Sequence, residues 1–259
     1  MMEAVQEIRS KIRTGEWAKP TTGAAPGYTQ ANLVILPKKY AYDFLLFCVR
    51  NPKSCPLIEV TDLGSPIPKK TAPGADLRTD IPKYRIYKNG EYVEEVTDIT
   101  KYWQDDFVSF LIGCSFTFEN PLLENGIPIR YIEEGRNVSM YKTNIQSESA
   151  GAFEGPMVVS MRPMNPEYAI RAVQITSRFP SVHGAPVHIG DPAQIGIQDL
   201  DKPDFGDAVT IYDGEVPVFW ACGVTPQAAI MASKPELVIT HAPGHMLITD
   251  VKDEEHAVI

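Results

Sequence analysis

Short apolar runs bounded by turn residues alternate along this chain with segments of helical period. Val5, Ile8 and Ile12 recur at helical spacing, and Gly15 closes that first helix. A Pro-, Gly- and Thr-rich loop follows over 20–27. Pro37 opens a second helix, on which Ala41, Phe44, Leu45 and Cys48 form an i, i+3, i+4, i+7 stripe. The apolar run at 57–61 predicts a strand left by Asp62-Leu63-Gly64. Two further runs, Tyr84–Lys88 and Glu91–Val96, flank Asn89-Gly90, a hairpin signal because both turn residues must take positive φ. Phe107, Phe110, Leu111 and Cys114 repeat the helical spacing and predict a helix from about Asp105.

The second half is more regular. Residues 156–161 predict a strand, and Asn165-Pro166 starts a helix carrying Tyr168, Ala172, Ile175 and Phe179 on one stripe. Residues 186–189 return as a strand ending in Gly190-Asp191-Pro192. The run at 216–221 is followed by Cys222-Gly223, with Thr225-Pro226 read as a hydroxyl N-cap before a first-turn proline. A last run at 237–240 delivers His241-Ala242-Pro243-Gly244-His245. The five-residue pieces 190–194 and 223–227 echo one another, too briefly to establish a duplication.

This alternation predicts an α/β fold: a three-layer, mixed-sheet main domain with a smaller inserted α+β subdomain. Residues 1–125 with 186–259 would form the main domain and 126–185 the insert. If the runs ending at Met161, Ile189, Ala221 and Thr240 are parallel strands, their carboxyl ends share one edge, where open α/β folds place ligands.

Composition narrows the partners. The 259 residues hold 24 basic and 33 acidic side chains, a net charge of −9, which disfavours nucleic acid and anionic membranes. A small anionic substrate remains compatible, since one local arginine can hold a carboxylate. No run approaches the roughly 18 apolar residues of a membrane span. The charged, helical start carries no signal-peptide core, so the expected location is cytoplasmic. Cys48, Cys55, Cys114 and Cys222 show neither C-x-x-C nor zinc spacing and fit a reducing compartment as free thiols. Assembly into a homo-oligomer is left open by the sequence. No glycine-rich phosphate loop is present, and the expectation is no cofactor and no metal.

Seven segments together carry a resemblance: 26–32, 73–80, 113–119, 155–163, 183–192, 219–227 and 240–245. In that order they resemble the bacterial hydro-lyase group of the D-glutamate cyclase family, over about 27–250. The resemblance implies a lyase that releases water, with cyclisation of D-glutamate to 5-oxo-D-proline as the named reaction. It also implies an α/β main domain with a smaller α+β domain. It assigns no catalytic residues.

Candidate chemistry therefore comes from the residues. Histidine suits proton transfer because its ordinary pKa, about 6.5, lies near working pH. His241 and His245 follow a buried run around a Pro-Gly turn, as catalytic groups or as turn histidines satisfying carbonyls. Arg162 leaves a strand end, offering a bidentate fork for a substrate carboxylate or a structural ion pair. Glu119, beside Phe116 and Phe118, and Asp191 are the candidate acid–base partners. Arg78, Gln30, Asn32 and His188 are candidate substrate-binding residues; His188 reads equally as a core histidine, Arg78 as a partner of Asp76, and Gln30 and Asn32 as turn caps. Cys114 reads as a core thiol, and Cys222 as a strand-end cysteine before a helix start. Beside the hydro-lyase stand two other classes, a non-catalytic small-molecule-binding or accessory protein and, more weakly, a metal-dependent hydrolase.

Overall fold

The computed structural model describes residues 2–258. In chain order the elements are α1 (Met2–Arg13), β1 (Tyr28–Pro37), α2 (Lys38–Arg50), β2 (Leu57–Val60), β3 (Tyr84–Lys88), β4 (Glu91–Val96), β5 (Phe107–Gly113), α3 (Phe116–Glu124) and α4 (Arg130–Glu133). Then come β6 (Ser139–Gln146), β7 (Pro156–Met164), α5 (Pro166–Thr176), β8 (His188–Ile189), β9 (Val216–Ala221), α6 (Val224–Ser233), β10 (Val238–His241) and β11 (Leu247–Lys252).

The chain is a mixed α/β structure built on two sheets. The first has the order β2-β5-β1-β10-β3-β4, with β11 beside the opening half of β1; the second has the order β6-β7-β9-β8. Every strand pairing among the described residues is antiparallel, so the mixed sheet expected from sequence is corrected. A continuous apolar run reports burial on both faces, not strand direction. The two-residue Asn89-Gly90 turn can join only antiparallel neighbours, while β10 and β11 follow one another in the same direction, both antiparallel to β1 along one of its edges. Asn89 and Gly90 do take positive φ, 52° and 81°. Strands β8 and β9, placed by the sequence pattern in the main sheet, belong to the second, where β9 pairs with β7 and β8 with β9.

The predicted helix from Asp105 is strand β5. Its Phe-Val-Ser-Phe-Leu-Ile-Gly run is buried at six of seven positions, so helical spacing was satisfied only because nearly every position is apolar. Gln30 and Asn32, expected as substrate-binding residues or turn caps, lie in β1, which is buried along all ten residues between β5 on one side and β10 and β11 on the other. The polar Thr29, Gln30 and Asn32 concealed this strand. Thr225 is not the cap of α6. Gly223 holds that position, while Thr225 Oγ1 accepts from Val158 N–H at 2.9 Å and pins the helix to β7.

The core explains how the sheets meet. One face of the first sheet packs Val34, Phe110 and Val238 against Phe44 and Phe47 of α2; the other packs Leu33, Ile239 and Tyr84 together. The second sheet centres on Trp220, Phe219 and Val158. Helices α3 and α6 cross over. α3 leaves the first sheet but inserts Phe118 and Leu122 into the second sheet's core, with the Phe118 and Trp220 rings 5.7 Å apart. α6 leaves the second sheet but inserts Ala229 and Ile230 into the first sheet's core. Burying each large apolar side chain is worth about 1.5–3 kcal/mol, so the crossing is firmly held. It brings the two helix starts together. Among the described residues no helix is long and apolar enough to cross a membrane.

Candidate active site

The two helix starts face one narrow cleft of about 60 Å³. On one wall β5 ends at Gly113, and Cys114-Ser115 lead into α3; on the other β9 ends at Ala221, and Cys222-Gly223 lead into α6. Each helix begins two residues after its cysteine. Cys114 and Cys222 are 7% and 8% exposed, whereas Cys48 and Cys55 are 1% and 0%, so the first pair reaches the cleft and the second is sealed. Thr117 and Phe118 N–H turn back onto Cys114 O and Ser115 O, Thr225 N–H onto Cys222 O, and Pro226 has no N–H, so the N–H groups left to favour an anion are those of 115–116 and 223–224. Two such ends on one small cleft suit a carboxylate.

Asn32 of β1 holds the two turns in place. Its Nδ2 donates to Gly113 O at 2.9 Å, and the same carboxamide lies against Gly223 so closely that any side chain there would collide. Gln227, in the first turn of α6, also lines the cleft, and its Nε2 is 3.4 Å from the His241 ring.

His241 ends β10 on this cleft and is 4% exposed. Where the β1–β10 ladder would continue, its Nδ1 accepts from Leu33 N–H at 3.1 Å. Burial pulls its pKa down to about 4, so the ring is neutral near pH 7. With Nδ1 occupied as an acceptor, the ring proton belongs on Nε2. His241 is thereby a hydrogen-bond donor, not a base, toward whatever the cleft holds. His245 does not line the cleft. Its Nδ1 donates to Pro243 O at 2.8 Å, and its charged neighbours are Lys83 and Glu95.

Arg162 and Glu119 form a buried ion pair. Arg162 Nη1 donates to Ser160 Oγ at 3.0 Å and Nη2 to Ser115 Oγ at 3.1 Å, while Tyr131 OH donates to Glu119 Oε2 at 2.6 Å. The guanidinium, 1% exposed, has its fork filled by the protein and is not free for a substrate carboxylate. Through Ser115 it steadies the Cys114 turn. Burial pushes the Cys114 thiol up to about 12 and raises Cys222 as well. The N–H groups of Phe116 and Val224 and the charge of Arg162 act in the opposite sense.

The other expected residues lie elsewhere. Asp191 is exposed and caps a turn by accepting from Ala193 N–H at 3.0 Å; His188 Nε2 donates to Asp191 O. Arg78 pairs with Asp76, and Asp80 with Arg13. Gln30 donates to Thr21 O within β1's surroundings. The shared parallel-strand rim is therefore replaced by a cleft between sheets, where Asn32, Cys222 and His241 meet. Sequence reading missed Cys114 and Gln227. A signal existed: Phe110-Leu-Ile-Gly-Cys114-Ser-Phe-Thr117 and Val218-Phe-Trp-Ala-Cys222-Gly-Val-Thr225 share one pattern. A larger cavity of about 490 Å³ near Asn120, Arg178 and Asp253 offers one buried carboxyl, pushed up to about 6 by burial, without thiol or imidazole. Among the described residues no group of three or more His, Cys, Asp or Glu is placed to hold a metal.

Residues 108–250, which include both cleft cysteines and His241, match the model of the D-glutamate cyclase family. The chain belongs to that family. A Bacillus licheniformis protein named putative hydro-lyase is 66% identical over 253 residues, 98% of this chain and 97% of that protein. The putative hydro-lyase YcsI of Bacillus subtilis is 65% identical over 256 residues, 99% of this chain and 100% of its own length. A Thermoanaerobacter protein of the same name is 70% identical over 248 residues, 96% of this chain and 94% of that protein. Among solved structures, a nitrogen repressor-like protein from Methanococcus jannaschii gives a TM-score of 0.38 at 10% identity, covering 95% of this chain and 97% of that one, too low to carry an argument.

Proposed function

We propose that this D-glutamate cyclase family member is a hydro-lyase that works without a cofactor on a small anionic amino or carboxylic acid. The observation that carries this reading is the meeting of the Cys114 and Cys222 helix starts with neutral His241 on one cleft. A carboxylate sits against the helix N–H groups, and His241 donates Nε2–H to an oxygen that gains charge. A neutral thiol supplies the proton that lets water leave. The family name and the relatives' names make cyclisation of D-glutamate to 5-oxo-D-proline the first reaction to try. There the neutral α-amine attacks the carbon of the protonated γ-carboxyl. The amine loses a proton, and the departing hydroxyl gains one and leaves as water. The four free thiols support a cytoplasmic, reducing setting for this chemistry.

The test is incubation of the protein with D-glutamate, and separately with 5-oxo-D-proline and small hydroxy acids, followed by mass spectrometry. Loss or gain of one water, catalytic in protein, supports the reading. Tight binding of these acids without turnover makes the chain a binding protein instead.

A further inference from the structure

The two cysteines occupy equivalent places on opposite walls. Each follows a small residue that ends a buried strand, each precedes a helix start by the same two residues, and the two strands belong to different sheets. Both cysteines line the cleft, where the Cys222 thiol lies 3.5 Å from Met140 Sδ, and neutral His241 lines the same cleft. Water release needs one proton donor and one acceptor, and it does not by itself require a matched pair of thiols on two walls. Such a pair suits another task, which is to serve the two faces of one carbon.

Resting on the reading that the cleft holds a small anionic acid, we propose that Cys114 and Cys222 also exchange and invert the α-hydrogen of that acid. The substrate class is a small α-amino acid or its lactam, held by the α-carboxylate. One cysteine, having lost its proton to water, takes the α-hydrogen: the C–H bond breaks and an S–H bond forms. The electron pair passes into the carboxylate as an enolate, whose oxygens are met by the helix N–H groups and His241 Nε2–H. The opposite thiol then donates its proton to the other face: its S–H bond breaks and a new C–H bond forms. Nothing is oxidised or reduced, and no co-reactant is required. A neutral imidazole serves here because it stabilises the enolate without protonating it outright.

The experiment incubates the full chain in D₂O with D-glutamate, L-glutamate, 5-oxo-D-proline and 5-oxo-L-proline in separate samples. Deuterium at the α-carbon is read by NMR, the opposite enantiomer by chiral chromatography, and loss or gain of water in the same samples by mass. The expected result is α-deuterium with interconversion of the enantiomers, the interconversion reduced by about 10²-fold or more in both Cys114→Ser and Cys222→Ser. The two variants should differ in which enantiomer they still deuterate, a signature that mere unfolding would not give. No α-deuterium in either acid overturns the proposal; if water is still lost or gained in those samples, the hydro-lyase reading stands alone. Interconversion of the enantiomers that persists unchanged in either variant overturns it equally.

Discussion

A Cβ placed on Gly223 would lie 2.4 Å from Nδ2 of Asn32, the same nitrogen that donates to Gly113 O at 2.9 Å. One carboxamide thus spaces the turn that carries Cys222 from the turn that carries Cys114. Gly223 has an ordinary helical φ of −63°, so the position demands glycine for room and not for backbone freedom.

Gly223→Ala should therefore destabilise by overpacking, by about 1–3 kcal/mol, and displace the cleft wall. Adding Asn32→Ala should return part of that loss, because the colliding atoms are gone. Urea unfolding of the two single variants and the double variant measures the coupling; strict additivity would contradict the contact.

The Arg162–Glu119 pair makes a different demand. Glu119→Gln leaves a buried guanidinium without its counter-charge and should cost about 3–5 kcal/mol. Arg162→Lys retains charge but loses the donors to Ser160 and Ser115, so the Cys114 turn should loosen. Thermal melts check both. An Arg162→Lys protein with unchanged stability but weakened substrate binding would instead restore arginine as the substrate's anchor.

Stability should fall on acidification in a window set by buried histidines. His241 and His183 both have folded pKa values pulled from 6.5 to about 4 by burial. Between those limits the unfolded chain binds more protons, so each contributes stability above pH 6.5 that is lost as pH falls toward 4, roughly 3 kcal/mol apiece. Asp253 opposes them: its folded pKa is raised to about 6, so it adds roughly 3 kcal/mol as pH falls from 6 to its unfolded value. Two histidines outweigh one aspartate, and His245 and His256 are also lowered by burial. Urea midpoints from pH 7 to pH 4 should decline, and less steeply in His183→Asn. A flat profile would contradict neutral buried rings.

Exchange of the α-hydrogen should rise on the alkaline side. Cys114 faces Cys222, Glu119 and Arg162, and burial outweighs the cation and the helix N–H in keeping its thiol protonated. A step that needs a thiolate therefore gains from every added unit of pH, until folding fails. Rates that peak below pH 7 and fall above it would assign the base to another group.

Much of this was legible in the chain, and the omissions have physical causes. The Asn89-Gly90 hairpin, the cap at Asn165 and the buried runs at 156–161 and 216–221 follow from local chemistry, and the structure has them all. Strand direction does not follow from local chemistry, because an apolar run buries equally well beside a parallel or an antiparallel neighbour. β1 stayed hidden because its buried Gln30 and Asn32 bond to distant backbone at Thr21 and Gly113, partners that no local pattern announces. Cys222 and His241 stood out as strand-end residues, but Cys114 was masked by the apolar period of β5. Arg162 stood between a substrate anchor and a structural ion pair, because its polar surroundings, Glu119, Ser115 and Ser160, are scattered through the sequence and become a cage only in the fold.

The central claim is that the cleft between Cys114 and Cys222 is where chemistry occurs. The most direct measurement is the steady-state rate of water loss or gain, with D-glutamate or 5-oxo-D-proline, in Cys114→Ser and Cys222→Ser beside the unaltered protein. Both variants should melt near the parent temperature and lose about 10²–10⁴-fold in kcat, the usual cost of removing a general acid or base. Near-parental turnover in both would place the reaction elsewhere in the molecule.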